Sequence, residues 1–131
     1  MATLYVENVP DDIYKALRKR ARTNNNSIAA EVIEMLEQFV AQKPGDAFAR
    51  YGLALECVKL GDDAAAQAHF QTLLEINPEY VAGYFQYGQL LSRMGRTDEA
   101  RRILSDGIVT AQRTGDMHAR DEMQAALTLL R

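Results

Sequence analysis

Five cationic side chains lie within eight residues near the amino end of the chain, and they are the residues best suited to bind a ligand. They are Lys15, Arg18, Lys19, Arg20 and Arg22. Lysine and arginine bind phosphate groups, so a cluster of them on one predicted helix is typical of a nucleic-acid contact. Basic residues also populate ordinary solvated helix faces. Both interpretations stay open at this point.

Residues suited to metal binding or nucleophilic catalysis are few and widely spaced. His69 and His118 are 49 residues apart, and Cys57 is the single cysteine. A metal site needs several ligands at short spacing, and a catalytic nucleophile needs a base beside it. We therefore expect no enzyme activity, no metal, no cofactor and no small-molecule substrate.

The composition is that of an ordinary globular protein. Of the 131 residues 47% are hydrophobic and 25% are charged, and the formal net charge is -3. These values argue against wholesale disorder and against a globally basic nucleic-acid binder. A lone cysteine fits a reducing compartment, and neither a secretion signal nor a long apolar run is evident. We expect a cytoplasmic protein that does not span a membrane.

The first 42 residues predict one β-strand followed by two amphipathic helices. Residues 3–8 alternate in polarity, with Leu4 and Val6 on one face. Pro10 opens the first helix and Ser27 caps the second. Since no later segment offers a partner strand, the backbone groups of this strand have no partner within the chain.

A second copy of the chain is the simplest partner for this strand. Two helices and a short strand are too small to bury their own apolar faces, and a metal or disulfide is already excluded. Two identical antiparallel strands pair about a two-fold axis. We therefore expect a homodimer. The apolar positions assigned to its interface are Leu4, Val6, Ile28, Val32 and Leu36.

The stretch TLYVENVPDDIYKALRKRARTNNNSIAAEVIEMLEQFV resembles the ribbon-helix-helix fold of antitoxin-type proteins. The shared pattern is a strand, N-x-P-D-D, a basic helix and S-x-x-A-E, and it spans residues 2–41. The resemblance implies an intertwined dimer whose two-stranded ribbon enters the DNA major groove, with phosphate held at the start of the second helix. The implied DNA-binding residues are Thr3, Tyr5, Glu7, Lys15, Arg18, Lys19, Arg22, Asn26 and Ser27.

Glu7 departs from this family pattern, in which the ribbon position is commonly basic or an amide. A carboxylate repels phosphate, and its only good base partner is the cytosine amino group. Residues 1–42 carry five basic and six acidic side chains, a net charge of -1. We expect any DNA binding to be weak and strongly dependent on salt.

A second, purely helical segment begins after the proline-glycine break at residues 43–45. It aligns with itself at a shift of 34 residues, so that Gly61 corresponds to Gly95 and Ala66 to Ala100. Residues 46–113 thereby resemble two tetratricopeptide repeats, and a capping helix follows. We predict a mostly α-helical chain with a ribbon-helix-helix domain at 1–42, a linker at 43–45 and a repeat domain at 46–131.

The resemblance to tetratricopeptide repeats implies a groove that binds a protein segment. The predicted groove residues are Phe48, Tyr51, Leu55, Lys59, Phe85, Gln89, Ser92 and Arg93. Aromatic and aliphatic side chains with two basic groups suit an amphipathic or acidic peptide. The alternative is that the aromatic members pack against a neighbouring helix or the dimer partner.

Two functions follow as hypotheses. The first is a dimeric DNA-binding regulator of antitoxin or autorepressor type with a protein-interaction domain, and the resemblance permits a toxin as its protein partner. The second, which Glu7 favours, is a scaffold in which the amino-terminal domain only dimerises two peptide-binding arms. Whether the two halves are a long-standing or a recent fusion stays open.

Overall fold

The structure, a computed structural model, describes residues 11–23 and 27–130, with residues 22 and 23 described by their backbone alone. The predicted strand at residues 3–8 lies outside these residues. So do several residues with predicted roles, namely Thr3, Leu4, Tyr5, Val6, Glu7 and Asn26, and so does the side chain of Arg22. Their roles stay predictions.

Seven α-helices make up the described residues, and no strand occurs among them. They are α1 (Asp11–Thr23), α2 (Ile28–Gln42), α3 (Ala47–Leu60), α4 (Asp63–Ile76), α5 (Val81–Arg93), α6 (Thr97–Thr114) and α7 (Met117–Leu129). The prediction of a mostly helical chain is confirmed for this part. None of these seven helices is long and apolar enough to cross a lipid bilayer.

Capping residues set the helix boundaries at the places that the sequence predicts. Ser27 precedes α2, and its Oγ accepts a hydrogen bond of 3.0 Å from the amide of Ala30. Gly61 and Gly95 follow α3 and α5 with φ angles of +89° and +79°, the left-handed conformation that glycine adopts most readily. The repeat pattern predicts that each of these glycines ends the first helix of its repeat, and both ends are confirmed.

Helices α1, α2 and α3 belong to the first of two compact units, which lies within residues 1–69. Helix α2 packs against both α1 and α3. The buried apolar side chains of this unit are Leu17, Ala21, Val32, Val40, Ala49, Leu53, Ala54, Cys57 and Ala66. The helical spacing of Ile13, Leu17 and Ala21 predicts that all three side chains face inward, but that of Ile13 is 47% exposed. The prediction for Ile13 is wrong for the single chain, because the buried part of α1 begins one turn later, at Leu17.

Helices α5, α6 and α7 belong to the second compact unit, within residues 70–131, and each of them packs against the other two. Its core contains Leu104, Ile108, Ala111 and Met123. Phe70 is fully buried and its ring stacks on that of Tyr87, with 5.7 Å between centroids. A stacked aromatic pair stabilises a core by more than the burial of its two rings alone provides.

Small residues allow the helices of the second unit to approach closely, as the repeat pattern predicts. A Cβ atom at Gly88 would lie 2.6 Å from Leu104 Cδ2, closer than any ordinary contact. The sequence of the last helix predicts an inward apolar set, and this prediction is confirmed at Met123, which is fully buried. The predicted set is Met117, Met123, Ala126, Leu127 and Leu130. The prediction is wrong at Met117, which is 42% exposed because it begins α7, at the edge of the packed face.

Candidate nucleic-acid and protein interfaces

Three of the predicted DNA-binding cations lie together on α1. Lys15, Arg18 and Lys19 are separated by three and four residues, which places them on one face of the helix. All three side chains are exposed. Arg22 follows at the same spacing, although its side chain lies outside the described atoms. The structure therefore presents a cationic face to solvent on α1.

Tyr14 contacts this cationic face, and the sequence-based prediction missed it. The guanidinium carbon of Arg18 lies 5.9 Å from the centroid of the Tyr14 ring. Attraction between a cation and an aromatic face is worth about 0.5–1 kcal/mol at an exposed site. The spacing of four residues between an aromatic and a basic residue was the available signal. Tyr14 restrains the direction in which Arg18 extends.

Two acidic residues of α2 contact Arg20. Its Nε atom lies 2.7 Å from Oε2 of Glu31, and its Nη2 atom lies 3.4 Å from Oε1 of Glu34. The Glu31 side chain is fully buried. The basic cluster therefore includes Arg20, which forms an ion pair with a buried carboxylate, as well as side chains exposed to solvent.

The start of α2 carries the remaining described residue of the predicted DNA-binding set. Ser27 is exposed, and its carbonyl oxygen accepts the amide of Glu31 at 3.1 Å while its hydroxyl caps Ala30. Helix amino ends favour anions through their amide groups and their dipole. The geometry is compatible with a nearby phosphate, and the predicted role of Ser27 stays a prediction.

The predicted dimer interface is represented by three described residues, all on α2. Val32 is buried within the single chain, whereas Ile28 and Leu36 are half-buried. Met35 and Phe39, which lie on the same helix, are each 40% exposed. The pairing of these residues with a second copy of the chain stays a prediction.

Four of the predicted groove residues lie on α3, in the first unit, and four lie on α5, in the second unit. On α3, Phe48 is exposed, and the other three members, Tyr51, Leu55 and Lys59, are half-buried. On α5, Gln89 and Arg93 are exposed and Ser92 is half-buried. Phe85 packs against the core of the second unit that includes Leu104 and Met123. At Phe85 the alternative interpretation, packing against neighbouring helices, describes the contact that is present.

Cys57 and His69 are of types often used in catalysis, but the fold covers both side chains at least in part. Cys57 is buried, and burial followed by the carboxylates of Asp62, Glu37 and Glu56 raises its pKa to about 11. Its thiol therefore stays protonated and unreactive at neutral pH. Burial, and then the Arg50 guanidinium, lowers the pKa of His69. Among residues 11–23 and 27–130, no group of three or more His, Cys, Asp or Glu side chains is arranged to hold a metal ion.

Comparison with known proteins explains the helix pairs. Residues 58–130, more than half of the chain, match the tetratricopeptide repeat family model. The chain belongs to the tetratricopeptide repeat family. This repeat protein is 33% identical over 99 residues to a TPR repeat-containing protein of Pseudomonas aeruginosa, in an alignment that covers 76% of this chain and 94% of the relative.

Solved structures of tetratricopeptide repeats resemble the chain as well. A tetratricopeptide repeat domain protein from Salinibacter ruber is 38% identical with a TM-score of 0.63, and the match covers 65% of this chain and 86% of that one. The TPR2B domain of yeast Sti1, solved in a complex with pHsp70, matches with a TM-score of 0.72 over 87% of this chain and 92% of its own. At 15% identity the second likeness shows the fold alone.

The amino-terminal segment of this repeat protein matches a different family. Residues 2–40 match the model of antitoxin FitA-like ribbon-helix-helix domains. The two predicted segments of the chain are thereby confirmed as a ribbon-helix-helix domain and a tetratricopeptide repeat region. Ribbon-helix-helix domains typically dimerise, and tetratricopeptide repeats mediate protein interactions. The predicted linker at 43–45 falls between the two matched regions, and its limits stay a prediction.

Proposed function

We propose that the chain is a homodimeric DNA-binding regulator of antitoxin or autorepressor type, in which the tetratricopeptide region binds a protein partner. The observation that carries this proposal is the exposed cationic face of α1 within a segment that matches antitoxin FitA-like ribbon-helix-helix domains. A fold used for DNA contact thus carries phosphate-binding side chains on an accessible helix. The site we propose is regulatory and not catalytic.

In the proposed complex, the ribbon reads bases and the helices hold the backbone. Thr3, Tyr5 and Glu7 face base edges, while Lys15, Arg18, Lys19 and Arg22 bind phosphate. The amino end of α2, at Asn26 and Ser27, binds a further phosphate through its amides. Since phosphate contacts release counterions, they make affinity fall with salt but carry no sequence information.

The tetratricopeptide region is proposed to bind an acidic or amphipathic protein segment. The exposed ring of Phe48 on α3 suits an apolar part of such a segment, and the exposed guanidinium of Arg93 on α5 suits an acidic part, whereas the Lys59 ammonium is buried. A toxin is a partner class that the FitA-like resemblance permits, and both partners would be cytoplasmic. In this proposal, the carboxy-terminal half joins a protein partner to the DNA-bound dimer.

Neutralising part of the cationic face is expected to weaken DNA binding and its dependence on salt. We expect Lys15→Gln combined with Arg18→Gln to lower affinity for a duplex from upstream of the gene about tenfold or more. The slope of log K against log salt should become shallower by about 1.8, or about 0.9 for each lost phosphate contact. Fluorescence anisotropy between about 50 and 200 mM salt measures both quantities.

The matched control removes two exposed arginines from α6, through Arg101→Gln combined with Arg102→Gln. It changes net charge by the same amount at a distant place in the sequence and should leave affinity and slope within about twofold. Equal effects of the two double variants would mean that only overall charge matters, and the α1 face would then not be a DNA site.

The scaffold is the second candidate function, and two observations favour it. Glu7 places a carboxylate at the proposed base-reading position, and residues 1–42 carry a net charge of -1. Replacement of Glu7 with arginine separates the two functions. If the ribbon enters a groove, Glu7→Arg removes one repulsion and adds one phosphate or guanine contact, so affinity should rise about tenfold or more. If the ribbon only dimerises the arms, affinity for DNA will not change.

A further inference from the structure

The ion pair between Arg20 and Glu31 joins the end of α1 to the beginning of α2. Arg20 Nε lies 2.7 Å from Glu31 Oε2, and the Arg20 side chain is 38% exposed while that of Glu31 is fully covered. Glu34, one turn further along α2, lies 3.4 Å from Arg20 Nη2. One guanidinium thus bridges two helices and serves two carboxylates.

A carboxylate as deeply buried as that of Glu31 needs its cation. Removing one member of a buried ion pair leaves an uncompensated charge in a medium that solvates it poorly, whereas removing both members together is often tolerated. Guanidinium is suited to this task because its planar fork donates to two acceptors at once. Arg20 therefore has a structural use that the neighbouring Lys15 and Arg18 do not show.

The position of Glu31 connects this ion pair to the proposed phosphate site. The Glu31 amide donates to the carbonyl oxygen of Ser27, so its carboxylate belongs to the first turn of α2. An anion binds at a helix amino end through free amide groups and the helix dipole. A nearby carboxylate competes for those amides and repels the anion. An unbalanced Glu31 carboxylate would therefore oppose a phosphate at this end, and the Arg20 guanidinium offsets its charge.

On these grounds, and resting on the proposed DNA binding, we infer that Arg20 is a positioning residue that neutralises Glu31 and fixes the start of α2 for a phosphate. Arg20 itself does not contact DNA. Its removal weakens DNA binding through Glu31, and removal of the Glu31 charge reverses that loss. A direct phosphate contact predicts the opposite result, because it would be lost whether or not Glu31 keeps its charge.

The test compares Arg20→Gln, Glu31→Gln and the double variant in the full chain, with Arg102→Gln as the exposed control. The measurement is anisotropy of a labelled duplex from upstream of the gene, across the same salt range, with thermal unfolding followed by circular dichroism. We expect Arg20→Gln to lose about tenfold or more in affinity. The double variant and Glu31→Gln should stay within about threefold of the unmodified chain, with a salt slope that changes by much less than the ~0.9 of one phosphate contact.

Each other outcome overturns the inference in a recognisable way. If the double variant is as weak as Arg20→Gln and its salt slope is shallower by about 0.9, Arg20 contacts phosphate directly and the proposed function stands. Unchanged affinity in Arg20→Gln shows that Glu31 does not influence the phosphate site. If the unmodified chain does not bind DNA at all, the proposed function falls and this inference falls with it.

Arg20→Gln can also fail to fold, since it leaves the Glu31 carboxylate buried without its cation. The double variant, which has no buried charge at this place, then decides the question by itself. A folded double variant that binds DNA within about threefold of the unmodified chain supports the inference, since a direct contact by Arg20 would have been lost. A folded double variant that binds about tenfold more weakly overturns it.

Discussion

Replacing Phe70 with alanine is expected to lower the free energy of unfolding by about 3–5 kcal/mol. Phe70 is fully buried, and its ring stacks on the buried ring of Tyr87 with an interplanar angle of 14°. The Tyr87 hydroxyl in turn accepts a hydrogen bond of 3.1 Å from Gln71 Nε2. Alanine would leave a cavity and remove one side of this aromatic pair. Urea unfolding followed by circular dichroism measures the loss.

Phe48→Ala is the matched control for this cavity. It removes the same side chain from a site that is 73% exposed, so the free energy of unfolding should change by no more than about 0.5 kcal/mol. If the two variants lose equal stability, Phe70 is not an anchor of the second unit. A large effect at Phe48 alone would instead show that its ring is covered in solution.

Gly107→Ala is expected to lower the free energy of unfolding by about 2 kcal/mol, although alanine is the better helix former. A Cβ atom at this position would lie 2.5 Å from Met123 Sδ and 2.6 Å from Tyr84 Cβ. The Met123 side chain can move, but Tyr84 Cβ is fixed to the backbone of α5. The helices must therefore separate, and the cost of that strain exceeds the gain of up to about 1 kcal/mol in helix propensity.

Gly52→Ala provides a control with the opposite sign. Gly52 also lies inside a helix, α3, but a Cβ atom there would meet nothing within 4 Å. This substitution should raise the free energy of unfolding by about 0.5–1 kcal/mol, because only the conformational cost of glycine is removed. Chemical denaturation of both variants tests the pair. Stabilisation by Gly107→Ala would contradict the close approach of α5, α6 and α7.

The helices and their ends could be predicted because their signals are local. Proline and glycine mark the break at residues 43–45, and Gly61 and Gly95 end helices by adopting a conformation that other residues avoid. The 34-residue repeat and the apolar pattern after it predict two helix pairs and a final helix from the sequence alone. Burial at the edges of helices was harder to predict, as Ile13 and Met117 show, since spacing gives the direction of a side chain but not the extent of its cover.

Contacts between distant residues set the limit of prediction at the candidate site. The pairing of Arg20 with Glu31 joins residues on different helices, and no local pattern in the sequence predicts it. Likewise, Phe85 occupies a groove position in the repeat register but packs into a core formed by α6 and α7. Such choices depend on how helices cross, which composition and periodicity do not specify. DNA and peptide roles rest instead on family resemblance and on the charges exposed at the surface.

Sedimentation equilibrium of the full chain tests most directly the claim that two copies share one amino-terminal domain. A ribbon-helix-helix domain needs a second copy to pair its strand, and the proposed DNA-reading surface exists only in that pair. At low-micromolar concentration, the account predicts a species of twice 14.7 kDa. A well-folded single chain of 14.7 kDa under the same conditions would contradict it.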